Sequence, residues 1–282
     1  MGSWLLPRPL RPAVVAIYRF ARHADDIADE GTDPAEAREA RLQALHAALR
    51  EAEAHLAGAQ VPVPVDPIVA GLIEPARLHR LGWRPFHDLL DAFLQDLRVR
   101  RYADPESVDA YCALSANPVG RLMLALFGAD STANRASSDS ICSALQRINF
   151  LQDVAIDRSK DRIYLPLETL AAVGVTGARW FDEIDAGRLS PPSRQAVALE
   201  SARARRQLLS GAGLITAVPR RLGWELRFII AGGLRILDRL HACGHDPVSD
   251  RPVLGWRDAG ALIAGAVRLQ PQVDPSAAGG AR

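Results

Sequence analysis

The chain has 282 residues, of which 48% are hydrophobic and 24% charged, and this is enough to bury one sizeable core. Its formal net charge of +1 excludes the basic field that non-specific nucleic-acid binding requires, so no nucleic-acid partner is expected. Three widely spaced cysteines, Cys112, Cys142 and Cys243, form no C-x-x-C pair and predict a reduced cytoplasmic protein. No apolar run approaches the roughly 20 residues that span a bilayer, and the proline-broken N-terminus is too short for a signal peptide.

Helical periodicity and helix-ending residues predict an all-α chain, since no segment shows the two-residue alternation of a strand. The first predicted helix has Pro9 and Pro12 in its first turn and stops at Gly31 and 33–34. The following helices are predicted over 34–58, 68–81, 85–100, 105–116, 118–127, 138–157, 191–217 and 222–242, with a short helix within 256–267. Leu42, Leu45 and Leu49 are the expected buried stripe of the second helix. We further expect a loop over 60–67, one helical domain over 1–270 and a disordered tail over 271–282.

The first predicted helix ends in an acidic face. Tyr18, Arg22, Asp25 and Asp29 follow one another at steps of four, three and four, which places all of them on one side of a helix. Two carboxylates one turn apart repel by about 0.2–0.5 kcal/mol unless a cation lies between them. The face therefore predicts a bound cation, although a single acidic face of this kind is more often simply solvated.

A matching face lies in the segment 146–166, QRINFLQDVAIDRSKDRIYLP. Gln146, Asn149, Asp153 and Asp157 recur there at steps of three, four and four. The second copy favours a cage of four carboxylates over two solvated surfaces. Oxygen ligands without His or Cys suit Mg²⁺, with Mn²⁺ as the alternative, and Mg²⁺ commonly binds together with substrate phosphates.

Two arginines complete the predicted site. Arg22 shares the first acidic face, Arg162 follows the second, and both guanidinium groups are permanent positive partners for diphosphate oxygens. The residues thus predict a diphosphate bridged by several metal ions. The sequence has no glycine-rich strand-turn-helix for a dinucleotide, so no NAD(P)H cofactor is expected.

The two acidic segments, ADDIADE and NFLQDVAID followed by DRIYLP, resemble the aspartate-rich motifs of the squalene/phytoene synthase family, and most closely its bacterial hydroxysqualene synthase branch. The resemblance extends over nearly the whole chain, including YCALSANPVGR at 111–121. It implies the all-α isoprenoid synthase fold, a single-domain helical bundle with a central pocket for a prenyl diphosphate. The implied reaction is Mg²⁺-dependent conversion of presqualene diphosphate to hydroxysqualene and diphosphate, a carbon–oxygen lyase step of squalene and hopanoid biosynthesis within a prenyltransferase family.

The resemblance also assigns roles to individual residues. It implies that the metals are held by Asp25, Asp29, Asp153 and Asp157, that the diphosphate is gripped or oriented by Arg22, Gln146, Asn149 and Arg162, and that the pocket is shaped by Tyr18, Tyr111 and Tyr164. Tyr111 fits a core tyrosine with a satisfied hydroxyl equally well.

Ser115 and Asn117 are the candidates for ending the reaction. Relatives that make hydrocarbons tend to keep this wall apolar, whereas a hydroxyl and an amide here could hold the water that captures a carbocation. The same residues fit a plain helix end equally well, because Pro118 disfavours a helical conformation at Asn117.

Several departures from relatives bear on the chemistry. Gln152 stands where many phytoene and squalene synthases carry an arginine, and Gly232–Gly233 stand where phytoene synthases often carry a tyrosine, so both point away from carotenoid synthesis. Paired helical glycines indicate close helix packing in preference to space for substrate.

His241 and His245 have zinc-like spacing, but their position at a helix C-terminus explains them better. Relatives also carry a further segment upstream of 3–9 that helps to close the diphosphate end of the pocket.

Two other functions stay open at this point. One is a condensing enzyme that makes presqualene diphosphate, squalene or phytoene from two prenyl diphosphates. The other is a non-catalytic assembly or lipid-binding protein on the same fold, against which the presence of four aspartates and two arginines argues. The apolar product implies a cytoplasmic protein in transient contact with the inner face of the membrane and with other enzymes of squalene and hopanoid synthesis.

Overall fold

A computed structural model describes residues 6–29, 33–59 and 66–269 of the chain. Within these residues the helices are α1 (Arg11–Asp29), α2 (Ala35–Leu56), α3 (Pro67–His79), α4 (Arg84–Asp96), α5 (Pro105–Ser115), α6 (Asn117–Leu126), α7 (Thr132–Gln152), α8 (Val154–Ser159), α9 (Leu167–Ala172), α10 (Gly177–Asp185), α11 (Pro191–Ser210), α12 (Leu214–Ala217), α13 (Arg220–Ala242) and α14 (Ala259–Arg268). Three 3-10 helices, Arg8–Leu10, Gly211–Gly213 and Trp256–Asp258, and one isolated parallel bridge between Arg101 and Ile163 complete the regular structure of this part of the chain. The predicted all-α class is confirmed.

Backbone contacts divide the chain into two compact units that interleave in sequence. The first consists of Met1–Val99 and Ala113–Asp130, and the second of Arg100–Cys112 and Ser131–Arg282. The predicted helix stop at Gly31, most of the predicted loop over 60–67 and the predicted tail over 271–282 lie outside the described residues, and the domain bounds of 1–270 stay a prediction.

The core of the first unit is built where α1 packs against α2, α3 and α4. Ile17, Phe20 and Ala24 recur at helical spacing and are buried, and the Phe20 ring meets the Phe86 ring of α4 edge-on, with the two centroids 5.4 Å apart. The predicted stripe of Leu42, Leu45 and Leu49 is confirmed, since all three are buried in this core. The opposite face of α1 is left for the acidic residues.

Two histidines of the first unit lie in contact between α2 and α4. The His46 and His87 rings stack with their centroids 5.1 Å apart, and their Nδ1 atoms are separated by 2.9 Å. Asp91 lies 3.2 Å from the other ring nitrogen of His46. A hydrogen bond between two Nδ1 atoms requires one ring to donate and the other to accept, so at least one histidine must be neutral.

This pair predicts a loss of stability in mild acid. Burial lowers the pKa of both rings. At His46, the Asp91 carboxylate opposes this shift. At His87, Arg50 adds to the shift and Glu53 opposes it. Because the folded pKa values lie below the unfolded value of about 6.5, the unfolded chain takes up more protons as the pH falls. The free energy of unfolding should therefore be highest above pH 6.5 and should decrease as the pH falls through the folded pKa values.

Urea titrations at several pH values measure this effect. His46→Gln with His87→Gln is expected to flatten the dependence of the unfolding free energy on pH between about 7 and 5. A double variant that keeps the wild-type slope in that range would show that the acid sensitivity comes from other groups.

The second unit is centred on α7, which packs against α11 and α13. At Gly233 on α13, an added Cβ atom would lie 2.9 Å from Leu208 Cδ2 and 3.0 Å from Leu145 Cδ2. Gly233 therefore allows the close approach of three helices, which confirms the packing explanation at this position. At Gly232 the nearest atom would be Leu254 Cδ1, at an ordinary contact distance of 3.6 Å.

A buried arginine ties four elements of this unit together. Arg147 on α7 is 3% exposed and lies 3.1 Å from Glu200 Oε2 and 2.8 Å from Asp109 Oδ1. It also donates a 2.8 Å hydrogen bond to the Pro105 carbonyl, while Thr169 Oγ1 donates to the other oxygen of Glu200. A charge at this depth is tolerated because carboxylates and hydrogen bonds satisfy it from several sides.

Several predicted helix limits in this unit are wrong. The helix predicted over 138–157 begins earlier, at Thr132, because the Ser131 hydroxyl accepts a hydrogen bond from the Asn134 N–H and caps it. The same predicted helix is interrupted at Asp153, and the one predicted over 191–217 ends at Ser210, where a 3-10 turn begins. Helices α9 and α10 were not predicted, since each has fewer than ten residues and too little periodicity to recognise.

Candidate active site

The first acidic face lies on the last three turns of α1, in the first unit. Tyr18 is 64% exposed, and Arg22, Asp25 and Asp29 follow it along the side of the helix that faces away from the core. Arg22 Nη1 lies 3.0 Å from Asp25 Oδ2 and Arg22 Nη2 lies 2.8 Å from Asp26 Oδ1. The predicted arginine therefore neutralises charge on its own helix. Asp26 was not singled out from the sequence, although its place beside Asp25 was visible there.

The second acidic face lies where α7 passes into α8, in the second unit. Asp153 has a φ of −103° and interrupts the helix, but two backbone hydrogen bonds continue across it. The Asp153 N–H donates to the Asn149 carbonyl at 2.9 Å, and the Asp157 N–H donates to the Asp153 carbonyl at 2.8 Å. Asn149, Asp153 and Asp157 thus stay one turn apart on a common side, as their spacing predicted, and Gln146 lies one turn earlier on α7.

An arginine distant in sequence holds the central carboxylate of this face. Arg251 Nε donates a 2.8 Å hydrogen bond to Asp153 Oδ1, and the Gln152 amide donates a 2.7 Å hydrogen bond to the Pro252 carbonyl. These two contacts fasten the segment after α13 to the end of α7. Sequence analysis missed Arg251, because nothing local marks a partner 98 residues away.

The turn that follows α8 places Arg162 and Tyr164. Asp161 adopts a φ of +55°, and the Arg162 N–H then donates to the Asp157 carbonyl at 2.9 Å. The next residue, Ile163, donates its N–H to the Arg100 carbonyl. Arg162 is 8% exposed and so is held inside the second unit directly after the acidic face.

Tyr111 and Tyr164 belong to an aromatic cluster of the second unit. The Phe150 and Tyr164 rings stack in parallel with their centroids 3.9 Å apart, and Tyr111 lies 5.7 Å from Tyr164 and 5.4 Å from Tyr102. Tyr111 and Tyr164 are 5% and 8% exposed. Cys112 follows Tyr111, and burial raises the pKa of its thiol to about 12, so this cysteine is not a nucleophile at neutral pH. No local pattern in the sequence marks Tyr102 or Phe150 as part of this cluster.

Ser115 and Asn117 belong to the first unit and lie at the junction of α5 and α6. Ser115 is the last residue of α5 and Asn117 the first of α6, so both have the helix-ending position that the sequence predicted. The Ser115 hydroxyl oxygen is buried and makes no hydrogen bond within the described residues. Asn117 is 5% exposed. A buried hydroxyl usually has a partner, so this one fits a site for a polar ligand such as water.

The donor set of both acidic faces fits magnesium. Each face offers hard carboxylate oxygens, and each has an arginine as counter-charge, Arg22 beside Asp25 and Arg251 beside Asp153. Within the described residues, no three His, Cys, Asp or Glu side chains lie together as a metal-binding group. The cage of four carboxylates therefore stays a prediction.

His241 and His245, the two histidines with zinc-like spacing, lie at the end of α13 and in the turn after it. The His241 and His245 rings meet edge-on with their centroids 5.3 Å apart, and His245 has a φ of +59° in the turn after the helix. The Cys243 thiol contacts the Leu240 carbonyl at 3.2 Å. Burial lowers the pKa of His245, and His241 adds to this shift.

Curated relatives match most of the chain. It is 34% identical over 260 residues to the hydroxysqualene synthase of Zymomonas mobilis subsp. mobilis, which covers 89% of this chain and 80% of that protein. It is 35% identical over 173 residues to the presqualene diphosphate synthase of Rhodopseudomonas palustris, which covers 61% of this chain and 59% of that protein.

Among solved structures, the chain is similar to the squalene synthase HpnC from Alicyclobacillus acidocaldarius, with a TM-score of 0.77 and 34% identity over 86% of this chain and 87% of that one. The sequence model of the squalene/phytoene synthase family matches residues 1–258, which run through both units. The resemblance of the two aspartate motifs is thereby confirmed, and the non-catalytic alternative is set aside. The chain belongs to the squalene/phytoene synthase family and is an enzyme of that family.

Proposed function

We propose that this enzyme converts presqualene diphosphate to hydroxysqualene with release of diphosphate, a step of squalene and hopanoid biosynthesis. The observation that carries the proposal is the match to hydroxysqualene synthases, which extends over 89% of the chain at 34% identity. The match to a presqualene diphosphate synthase reaches a similar identity but covers only 61% of the chain.

Arginine and amide side chains are the proposed ligands of the diphosphate. Arg22 lies beside the first acidic face and Arg162 follows the second, where each offers a charge that cannot be lost near neutral pH. Gln146 and Asn149 precede Asp153 on α7 and orient the diphosphate through their amides. Tyr18, Tyr111 and Tyr164 shape the apolar part of the pocket.

Each acidic face would hold magnesium, Asp25 and Asp29 in one unit and Asp153 and Asp157 in the other. A metal ion bound at these faces, Mg²⁺ or Mn²⁺, would supply positive charge for the departing diphosphate. In the free protein Arg22 and Arg251 balance the charge of Asp25 and Asp153. Both arginines can transfer these contacts to diphosphate oxygens, because a guanidinium group binds carboxylate and phosphate equally well.

The reaction breaks the carbon–oxygen bond to diphosphate, which departs with the bonding electron pair. The cyclopropane ring of the cation then rearranges, and a water oxygen forms the new carbon–oxygen bond with loss of one proton. We propose that Ser115 and Asn117 hold that water, since the Ser115 hydroxyl is buried without a partner in the described residues. Capture by water consumes no hydride, so no NAD(P)H is required.

Two parallel incubations test the proposal. With presqualene diphosphate and Mg²⁺ the protein should form hydroxysqualene, whether or not NADPH is present. With farnesyl diphosphate alone, the incubation should contain the same compounds as a heat-inactivated control. Formation of presqualene diphosphate, squalene or phytoene in the second incubation would contradict the proposal and favour the condensing reaction, for which the similarity to presqualene diphosphate synthase argues.

We also propose that the protein is cytoplasmic and meets the membrane transiently, because its product is too apolar to leave into water. Among the described residues, no helix is long and apolar enough to cross a bilayer. Other enzymes of squalene and hopanoid synthesis are the expected partners at that surface.

A further inference from the structure

An apolar strip runs along the outer side of the last described helix. Gly260, Ile263 and Val267 of α14 follow one another at steps of three and four and so share one helical side, and Trp256 lies in the 3-10 turn that leads into α14. Trp256 is 84% exposed, Ile263 56% and Val267 62%. Three large apolar side chains are thus exposed on one short segment, and we call this surface the α14 strip.

The other side of α14 packs against α13, so the α14 strip faces away from α13. Ala266 is fully buried, and a Cβ atom added at Gly265 would lie 3.4 Å from the Ala231 Cβ. Arg227 on α13 donates to the carbonyls of Ala266 and Leu269 at 3.0 and 2.6 Å. These contacts satisfy the C-terminal end of α14 and leave the α14 strip on the opposite side of the helix.

The charges around the α14 strip are positive. Arg257 and Arg268 lie at its two ends, and the Arg257 guanidinium sits 5.3 Å from the centre of the Trp256 ring. The one acidic residue of 256–269, Asp258, is 1% exposed and accepts hydrogen bonds from Arg235 and Arg239. Its negative charge is therefore neutralised inside the protein, and the exposed side chains of 256–269 are arginine and apolar groups.

We propose that the α14 strip is a docking surface for an anionic lipid membrane. Tryptophan and arginine side chains favour the boundary between lipid head groups and acyl chains, where one part of each can stay hydrated. A ten-residue helix is about 15 Å long and cannot span a bilayer, so α14 lies in the plane of the surface. The two flanking arginines fit lipids with negatively charged head groups.

Flotation of the full chain with liposomes tests this inference. We expect the protein to be recovered with liposomes of phosphatidylcholine and phosphatidylglycerol, far less with phosphatidylcholine alone, and less again at high salt. Trp256→Ser with Ile263→Ser should weaken binding to the anionic liposomes by about tenfold or more. Arg257→Gln with Arg268→Gln keeps the apolar side chains and should remove the preference for anionic lipid.

Leu78→Ser with Leu199→Ser is the matched control, because these leucines are 60% and 48% exposed on other helices. This control should bind liposomes like the wild type. Unchanged binding of the Trp256 and Ile263 variant would overturn the inference, as would equal recovery with both lipid mixtures. A dimer in lipid-free solution that this variant abolishes, without any liposome binding, would assign the strip to a second copy of the chain and would also overturn it.

The docking surface and the proposed reaction can be tested separately. Turnover of presqualene diphosphate dispersed in detergent should be the same for the wild type and for Trp256→Ser with Ile263→Ser, since neither residue belongs to the proposed site. Loss of liposome binding at full turnover therefore reports on the docking surface alone.

Discussion

Asp153→Asn and Asp25→Asn are each expected to lower turnover by at least about 100-fold while the helical content stays that of the wild type. Each change removes a negative charge from a proposed metal ligand but keeps the size of the side chain. Asp153 is partly exposed and contacts Arg251 at the surface, and Asp25 contacts Arg22 on an exposed helical face, so neither change disturbs the core. Product formation is measured from presqualene diphosphate, and helical content by circular dichroism.

Asp238→Asn is the matched control for these variants. Asp238 is also an ion-paired surface aspartate, 53% exposed and 2.6 Å from Arg205, but it lies on α13 and has no part in the proposed site. It should keep wild-type turnover. Chelation of divalent cations should stop the wild-type enzyme, and added Mg²⁺ or Mn²⁺ should restore it. Full turnover in the presence of the chelator would contradict the metal requirement.

Ser115→Val with Asn117→Ala is expected to keep the release of diphosphate but to shift the product from alcohol towards hydrocarbon. Once the cation forms, its fate depends on which partner lies nearest, because each capture step is fast when the geometry permits it. Removing the hydroxyl and the amide takes away the groups proposed to hold the water. Valine at position 115 should be tolerated, since the Ser115 hydroxyl is buried and makes no hydrogen bond within the described residues.

Chromatography of extracts from presqualene diphosphate incubations measures the alcohol fraction, and a phosphate assay measures ionisation. Ser210→Val serves as control, because that hydroxyl already donates to the Gln207 carbonyl at 2.8 Å at the end of α11. An unchanged alcohol fraction at an undiminished ionisation rate would show that the water is held elsewhere. Ser115 and Asn117 would then have only their role in ending α5 and starting α6.

Much of the fold could be predicted because the pattern that indicates a helix lies within a short stretch of sequence. The buried stripe of Leu42, Leu45 and Leu49 and the acidic faces follow from a period of 3.6 residues, which needs no knowledge of the partner helix. The family could be predicted as well, because two spaced acidic motifs in a fixed order are far more specific than either alone.

Contacts between distant segments could not be predicted in the same way. Arg251 reaches Asp153 across 98 residues, and no local pattern marks this contact or the interruption of the helix at Asp153. The aromatic contacts of Tyr102 and Phe150 depend on tertiary packing that periodicity does not describe. The stacked pair of His46 and His87 likewise joins two helices 41 residues apart in sequence.

The close helix contact at Gly233 restricts which side chains this position can accept. A tyrosine there, as phytoene synthases often carry in this region, would drive its first side-chain atom to within 3.2 Å of three apolar side chains, those of Leu145, Ile148 and Leu208. The ends of those three side chains would have to move aside for such a replacement. Position 232 has room for a side chain against Leu254 and is the more accessible starting point for directed evolution.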